Sequence, residues 1–136
     1  PNTMGIAGLA RGLAFIGEQG GVEAMHARQM TLLHTLWQAL RETAGVTVHG
    51  GDSLERHAPL FSFNIDGLDP AQAGARLDVD FDVACRAGLH CAPLVHESLG
   101  TAPDGAVRLS IGPFTTLADV EAAAFAVESL ASERRS

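Results

Sequence analysis

Eight consecutive residues, Arg86-Ala87-Gly88-Leu89-His90-Cys91-Ala92-Pro93, bring a thiol, an imidazole and a guanidinium within one short stretch. A cysteine reacts as its thiolate, and nearby cations favour that form. Arg86 and a protonated His90 would both act in that direction. Gly88 supplies a hinge and Pro93 suits the first turn of a helix, so the spacing predicts a loop between a strand-like segment and a short helix. Cys91 is then displayed rather than packed, which makes it a candidate nucleophile. The pattern alone is not specific, because a single cysteine with a histidine nearby is more often structural. His90 is a candidate for lowering the thiol pKa or moving a proton, although a neighbour in sequence need not face the thiol.

Other groups compete for attention. Cys85, His90, Cys91 and His96 offer four nitrogen and sulfur ligands within twelve residues, a plausible count for zinc. The spacing is poor for it, since Cys85 falls on an apolar face and reads as a small buried hydrophobe, while adjacent His90 and Cys91 would strain to meet one ion. No metal site is therefore assigned. A noncatalytic interaction domain with a redox-sensitive exposed thiol is the other alternative. His26, His34, His49 and His57 are scattered singly and read as surface or helix filler.

The elements that must position these groups follow from periodicity. Ile6, Leu9, Leu13 and Ile16 recur at helical spacing from Met4 to Glu18, among the small residues Gly5, Ala7, Gly8 and Ala10. That composition suits either close packing on another domain or an ordinary core helix. After Gly20-Gly21, a long amphipathic helix runs from Val22 to Thr43, with Met25, Leu32, Leu33, Leu36, Trp37 and Leu40 inward and Arg28, Gln29, Gln38 and Arg41 on its wet side. Val46 to His49 reads as a short strand and Gly50 to Pro59 as a polar surface loop. Leu60 to Asp66 alternates, with Phe61, Phe63 and Ile65 on one face. Asp69-Pro70 opens a helix through Leu77. Phe81, Val83 and Cys85 then share one face of a strand, with Asp80, Asp82, Ala84 and Arg86 on the other. Val107, Leu109 and Ile111 oppose Arg108 and Ser110 in the same way. Arg86 and Arg108 both point away from the apolar faces, so the two guanidiniums converge if their strands are neighbours. Thr116 with Asp119 caps a last helix through Leu130, and Ser132 to Ser136 reads as a frayed tail.

These elements specify an α+β fold: a small, mainly antiparallel sheet with helices packed on one face. Its 136 residues, 46% hydrophobic, can bury one core. The formal charge of −7 argues against nucleic acid or an anionic membrane as partner. Two cysteines make no disulfide framework, which favours a reducing, cytoplasmic setting. The apolar stretch Ile6 to Ile16 is too short to span a bilayer and contains Arg11.

The run Val83 to Leu94 resembles the persulfide-forming cysteine loop of the cysteine desulfurases and selenocysteine lyases, a branch of the class V aminotransferases. Two more stretches agree. Pro1 to Leu9 is similar to the segment joining the large and small domains of that family, and Gly105 to Thr116 is similar to its substrate-arginine strand and the start of its last helix. The resemblance implies the C-terminal domain of a fold-type I pyridoxal phosphate enzyme, with residues 1–20 as an interdomain helix and residues 21–136 as the small domain. It implies pyridoxal 5′-phosphate as cofactor, cysteine or selenocysteine as substrate, a homodimer, and a sulfur-acceptor protein. Cys91 maps onto the nucleophile that keeps the sulfur as a persulfide while alanine leaves. Arg108 maps onto the arginine that binds the substrate carboxylate, and Arg86 onto a second arginine that positions the loop or raises local potential, if it is not simply a solvated charge. Thr3 maps near the cofactor phosphate, of its own or of the other subunit. All nine basic residues counted as Lys and Arg are arginines. With no lysine to form a Schiff base, and with an opening at Pro1 that matches mid-family sequence, the chain is expected to be a C-terminal piece lacking its N-terminal cofactor domain and inactive alone.

Overall fold

The computed structural model describes residues 1–55 and 57–134. Five helices and four strands follow in the order α1 (Thr3–Glu18), α2 (Gly21–Glu42), β1 (Val46–His49), β2 (Leu60–Ile65), α3 (Pro70–Phe81), β3 (Arg86–Gly88), α4 (Pro93–Leu99), β4 (Ala106–Ser110) and α5 (Leu117–Glu133). The strands form one antiparallel sheet in the order β1-β2-β4-β3.

Alternation decides which face of the sheet is covered. Phe61, Phe63 and Ile65 of β2 and Val107 and Leu109 of β4 are buried, in one cluster with Leu33, Leu36 and Leu40 of α2, Leu77 of α3 and Val127 and Leu130 of α5. The opposite parity carries Ser62, Asn64, Arg108 and Ser110. Helix ends are specified locally. Asp69 Oδ1 accepts from the Ala71 and Gln72 amides, with Pro70 in the first turn of α3. Thr116 and Asp119 form the expected capping box on α5.

The expected strand from Phe81 to Arg86 is shorter than the alternation predicts. Pro70, Ala73, Gly74 and Leu77 are buried at helical spacing, and the helix continues to Phe81. Asp82, at φ 56°, then turns the chain, with the Val83 amide donating to the Leu77 carbonyl. An aspartate tolerates this left-handed conformation better than most residues. Pairing begins only at Arg86.

Other expectations change in detail. Helix α1 is not a core helix: none of its residues is buried, and Met4, Ile6, Leu9 and Leu13 are exposed. Arg28 is exposed, as expected for the wet side of α2, and donates to the Pro113 carbonyl, whereas Gln29 is half-buried and donates to the Ile111 carbonyl. The loop after β1 is anchored by buried Leu54. Ser132 and Glu133 belong to α5, and Glu133 pairs with Arg76 at 2.8 Å, so the tail is ordered at least to there. Its last two residues, 135 and 136, lie outside the described residues.

Candidate functional site: a displayed thiol beside two opposed arginines

Strands β3 and β4 are joined by an excursion, residues 89–105, that contains α4. Its neck is tight. Gly88 and Ala106 are cross-strand partners, and a Cβ on Gly105 would lie 2.2 Å from the Gly88 backbone. Gly105 also sits at φ +83°, so this position combines a left-handed backbone with a close approach that only glycine allows.

Cys91 lies on this excursion and is exposed, as the sequence predicts. The loop that carries it is held by its own hydrogen bonds. The Ala92 amide donates to Leu89 at 2.8 Å, and the Gly105 amide donates to Thr101 at 2.7 Å. His90 and Cys91 occupy left-handed backbone at φ 51° and 59°. For non-glycine residues that costs about 1 kcal/mol or more each.

His90 is tied to the neighbouring strand. Its Nε2 is 2.9 Å from the Ala106 carbonyl oxygen, which can only accept, so Nε2 carries the proton. Burial lowers the pKa below the ordinary value, the hydrogen bond to Ala106 opposes this, and Arg108, His96 and Arg86 lower it further. Apart from that hydrogen bond, the surroundings disfavour a charge on His90. Beside it, at a ring separation of 5.6 Å, lies His96, only 4% exposed. His96 Nδ1 is hydrogen-bonded with Thr101 Oγ1 at 2.7 Å, and the same hydroxyl lies 3.4 Å from the His96 carbonyl oxygen.

The arginines meet as the parity argument requires. Arg86 and Arg108 are directly opposed across β3 and β4, on the face away from the helices. Like charges so placed repel. Arg108 Nε is buried without a hydrogen-bond partner, the single such side-chain atom among the described residues. An unpaired buried donor costs about 1–3 kcal/mol. A carboxylate or similar anion placed here would relieve both penalties. On the same face Asn64 accepts from His49 Nε2 at 2.6 Å and donates to the Gly105 carbonyl at 3.1 Å, bracing the neck.

Thr3 is exposed at the start of α1. The four zinc candidates do not gather: Cys85 Sγ approaches the Gly74 carbonyl at 3.8 Å, His96 is engaged with Thr101, and Cys91 faces out. Among the described residues no group of three or more His, Cys, Asp or Glu side chains is placed to hold a metal. Likewise, no described helix is long and apolar enough to cross a membrane. Sequence reasoning missed the bracing residues Asn64, Thr101 and Gly105. A glycine directly before the β4 pattern was the one available signal.

Comparison with known proteins gives the chain's family. Residues 1–123 match the aminotransferase class-V family. A probable cysteine desulfurase from Pyrococcus abyssi (strain GE5 / Orsay) is 31% identical over 136 residues, covering 100% of this chain and 33% of its own length. One from Halobacterium salinarum is 32% identical over 108 residues, covering 79% and 25%. Among solved structures, an apo cysteine desulfurase from Thermococcus onnurineus NA1 superposes with a TM-score of 0.87 at 34% identity, over 98% of this chain and 32% of that one. The cysteine desulfurase CsdA (S-sulfonic acid) from Escherichia coli gives 0.80 at 27% identity, over 98% and 31%. The chain spans about a third or less of these relatives. With residues 1–123 matched by that family and a relative of 31% identity spanning the whole chain, the chain belongs to the aminotransferase class-V family.

Proposed function

We propose that this chain is the C-terminal domain of a cysteine desulfurase-like enzyme, contributing the thiol that accepts sulfur and the arginine that binds the substrate carboxylate. The observation that carries the reading is the pair of opposed guanidiniums, one with an unpaired buried Nε, on the hairpin that displays Cys91. Arg108 offers a planar fork suited to bidentate carboxylate binding, and Arg86 adds positive potential from the neighbouring strand. With cysteine so held, Cys91 Sγ forms a new S–S bond to the substrate sulfur. The carbon–sulfur bond breaks with its electron pair left on the carbon, which takes up a proton so that alanine departs, and a persulfide stays on Cys91. Selenocysteine fits the same contacts.

Pyridoxal 5′-phosphate is the cofactor this reading implies. The residues present do not fit its covalent attachment, because that requires a lysine and the chain has none. The anchor must therefore come from another region of the protein, and the chain is inactive alone. Residues 1–20 form the connecting helix in this proposal, and residues 21–136 the small domain. The exposed Met4, Ile6, Leu9 and Leu13 form the surface that the cofactor region covers, and the Thr3 hydroxyl is available to a phosphate oxygen. His90, offered by its sequence position as a catalytic group, lies within the same loop. The reading also expects a homodimer, a sulfur-acceptor protein and a reducing cytoplasm.

The test is alanine and persulfide formation from cysteine by the protein joined to its lysine-bearing region. Replacing Cys91→Ser should abolish both. A variant as active as the parent overturns the assignment of the nucleophile.

A further inference from the structure

Two adjacent residues in left-handed backbone, neither of them glycine, persist only where the surroundings impose that conformation. The surroundings here are specific. His90 Nε2–H donates to the carbonyl of Ala106, the first residue of β4, and this bond crosses the neck of the excursion. The His90 ring lies against buried His96, which is fastened through Nδ1 to Thr101. Thr101 in turn accepts the Gly105 amide at its carbonyl, closing the circuit back to the neck.

We propose that His90 and His96 are positioning residues for Cys91: they pin the turn at residues 90 and 91 to β4 and to Thr101, and neither exchanges a proton with the thiol. With Nε2 committed to a carbonyl, the His90 proton is engaged away from the sulfur. Its ring is faced by Arg86 from β3, Arg108 from β4 and His96 from α4, all of which oppose a charge on it. The catalytic benefit rests on Cys91 being the reacting thiol; the positioning does not.

The experiment compares His90→Gln, whose amide can still donate to Ala106, with His90→Ala, which cannot. Two readings are taken on each. One is hydrogen exchange of the Ala92 amide, which reports the turn. The other is the pH profile of alkylation by iodoacetamide at Cys91. Cleavage after arginine separates the peptide Ala87–Arg108, carrying Cys91, from Leu77–Arg86, carrying Cys85. His90→Ala should speed Ala92 exchange by about tenfold, the value of one hydrogen bond, while His90→Gln stays near the parent. Neither should move the alkylation midpoint. An unchanged Ala92 exchange rate in His90→Ala overturns the proposal, and so does a midpoint that moves equally in both variants, since that is the behaviour of a charge or proton donor. If His90→Ala does not fold, Thr101→Val, which removes the hydroxyl that holds His96, must accelerate the same amide. Cys91→Ser failing to abolish desulfuration would remove the nucleophile assignment and leave these exchange results standing.

Discussion

Cys85 and Cys91 stand on either side of β3 and differ in almost everything that governs a thiol. Cys85 packs against the core and approaches the Gly74 carbonyl, and burial, followed by the charge of Asp78, pushes its pKa above the ordinary 9.0. Cys91 is exposed on a strained turn tied to the next strand. The difference arises from the backbone between them. Three residues of strand reverse the surroundings from helix-covered to open, and Gly88 lets the chain leave the sheet at once. Reactivity here is a property of address, with the residue type held constant.

The largest effect expected from this contrast is on the sulfur transfer proposed for the full-length protein. Cys91→Ala should remove persulfide formation to the limit of detection, while Cys85→Ala should retain it and lose only stability, by about 1 kcal/mol for a half-buried small side chain. Persulfide found on Cys85 by peptide mass would reverse the assignment.

Next in size is Arg108. A charge-assisted pair is worth about 1.5–3 kcal/mol, so Arg108→Met should lower kcat/KM for cysteine by roughly 10- to 100-fold. The same substitution removes a buried unpaired Nε and a like-charge neighbour of Arg86. Thermal stability without substrate should therefore hold or rise. Loss of stability together with unchanged kcat/KM would mark Arg108 as a packing residue. Arg86, being exposed, should show the smaller kinetic effect of the two.

The neck separates two kinds of glycine. Gly105→Ala meets the Gly88 backbone at 2.2 Å on a positive φ, whereas Gly100→Ala, at φ +72°, finds nothing within 4 Å. The first should cost about 2 kcal/mol or more and the second about 1 kcal/mol, measured by denaturant midpoint. Equal costs would mean that the neck relaxes freely and does not fix the excursion.

Much of this arrangement is legible before any coordinates, and what is not has a physical cause. The sheet faces follow from simple alternation in β2 and β4, and the opposition of Arg86 and Arg108 needs only parity and adjacency. The boundary near Phe81 misleads because Asp80-Phe81-Asp82-Val83 alternates like a strand while the helix still buries Leu77 one turn earlier. Helix α4 inverts the usual order: Leu94 is 73% exposed and His96 is 4% exposed. No periodicity rule anticipates that, since the burial of His96 depends on Thr101 and His90, partners that the sequence separates by a turn and a helix. Gln29 is similar, a polar residue whose placement depends on a carbonyl delivered from β4's far end.

The smallest effect distinguishes a neutral His90 from a cationic one. Its folded pKa lies below the ordinary 6.5. The unfolded chain therefore takes up a proton first as pH falls, and by linkage stability declines below about 6.5 until the folded value is passed. Above that range the contribution is fully present. Folding stability measured from pH 7.5 to 5 should thus fall more steeply in the parent than in His90→Gln, which cannot titrate, by less than about 1 kcal/mol for a partly exposed ring. The thiol on the other side of β3 gives the opposite sign, with Cys85 destabilising the fold only above pH 9.0, as the unfolded thiol ionises first. A parent stabilised by acid relative to His90→Gln would show that His90 is a cation in the folded state, and the contrast between the two cysteines would then owe something to charge as well as to exposure.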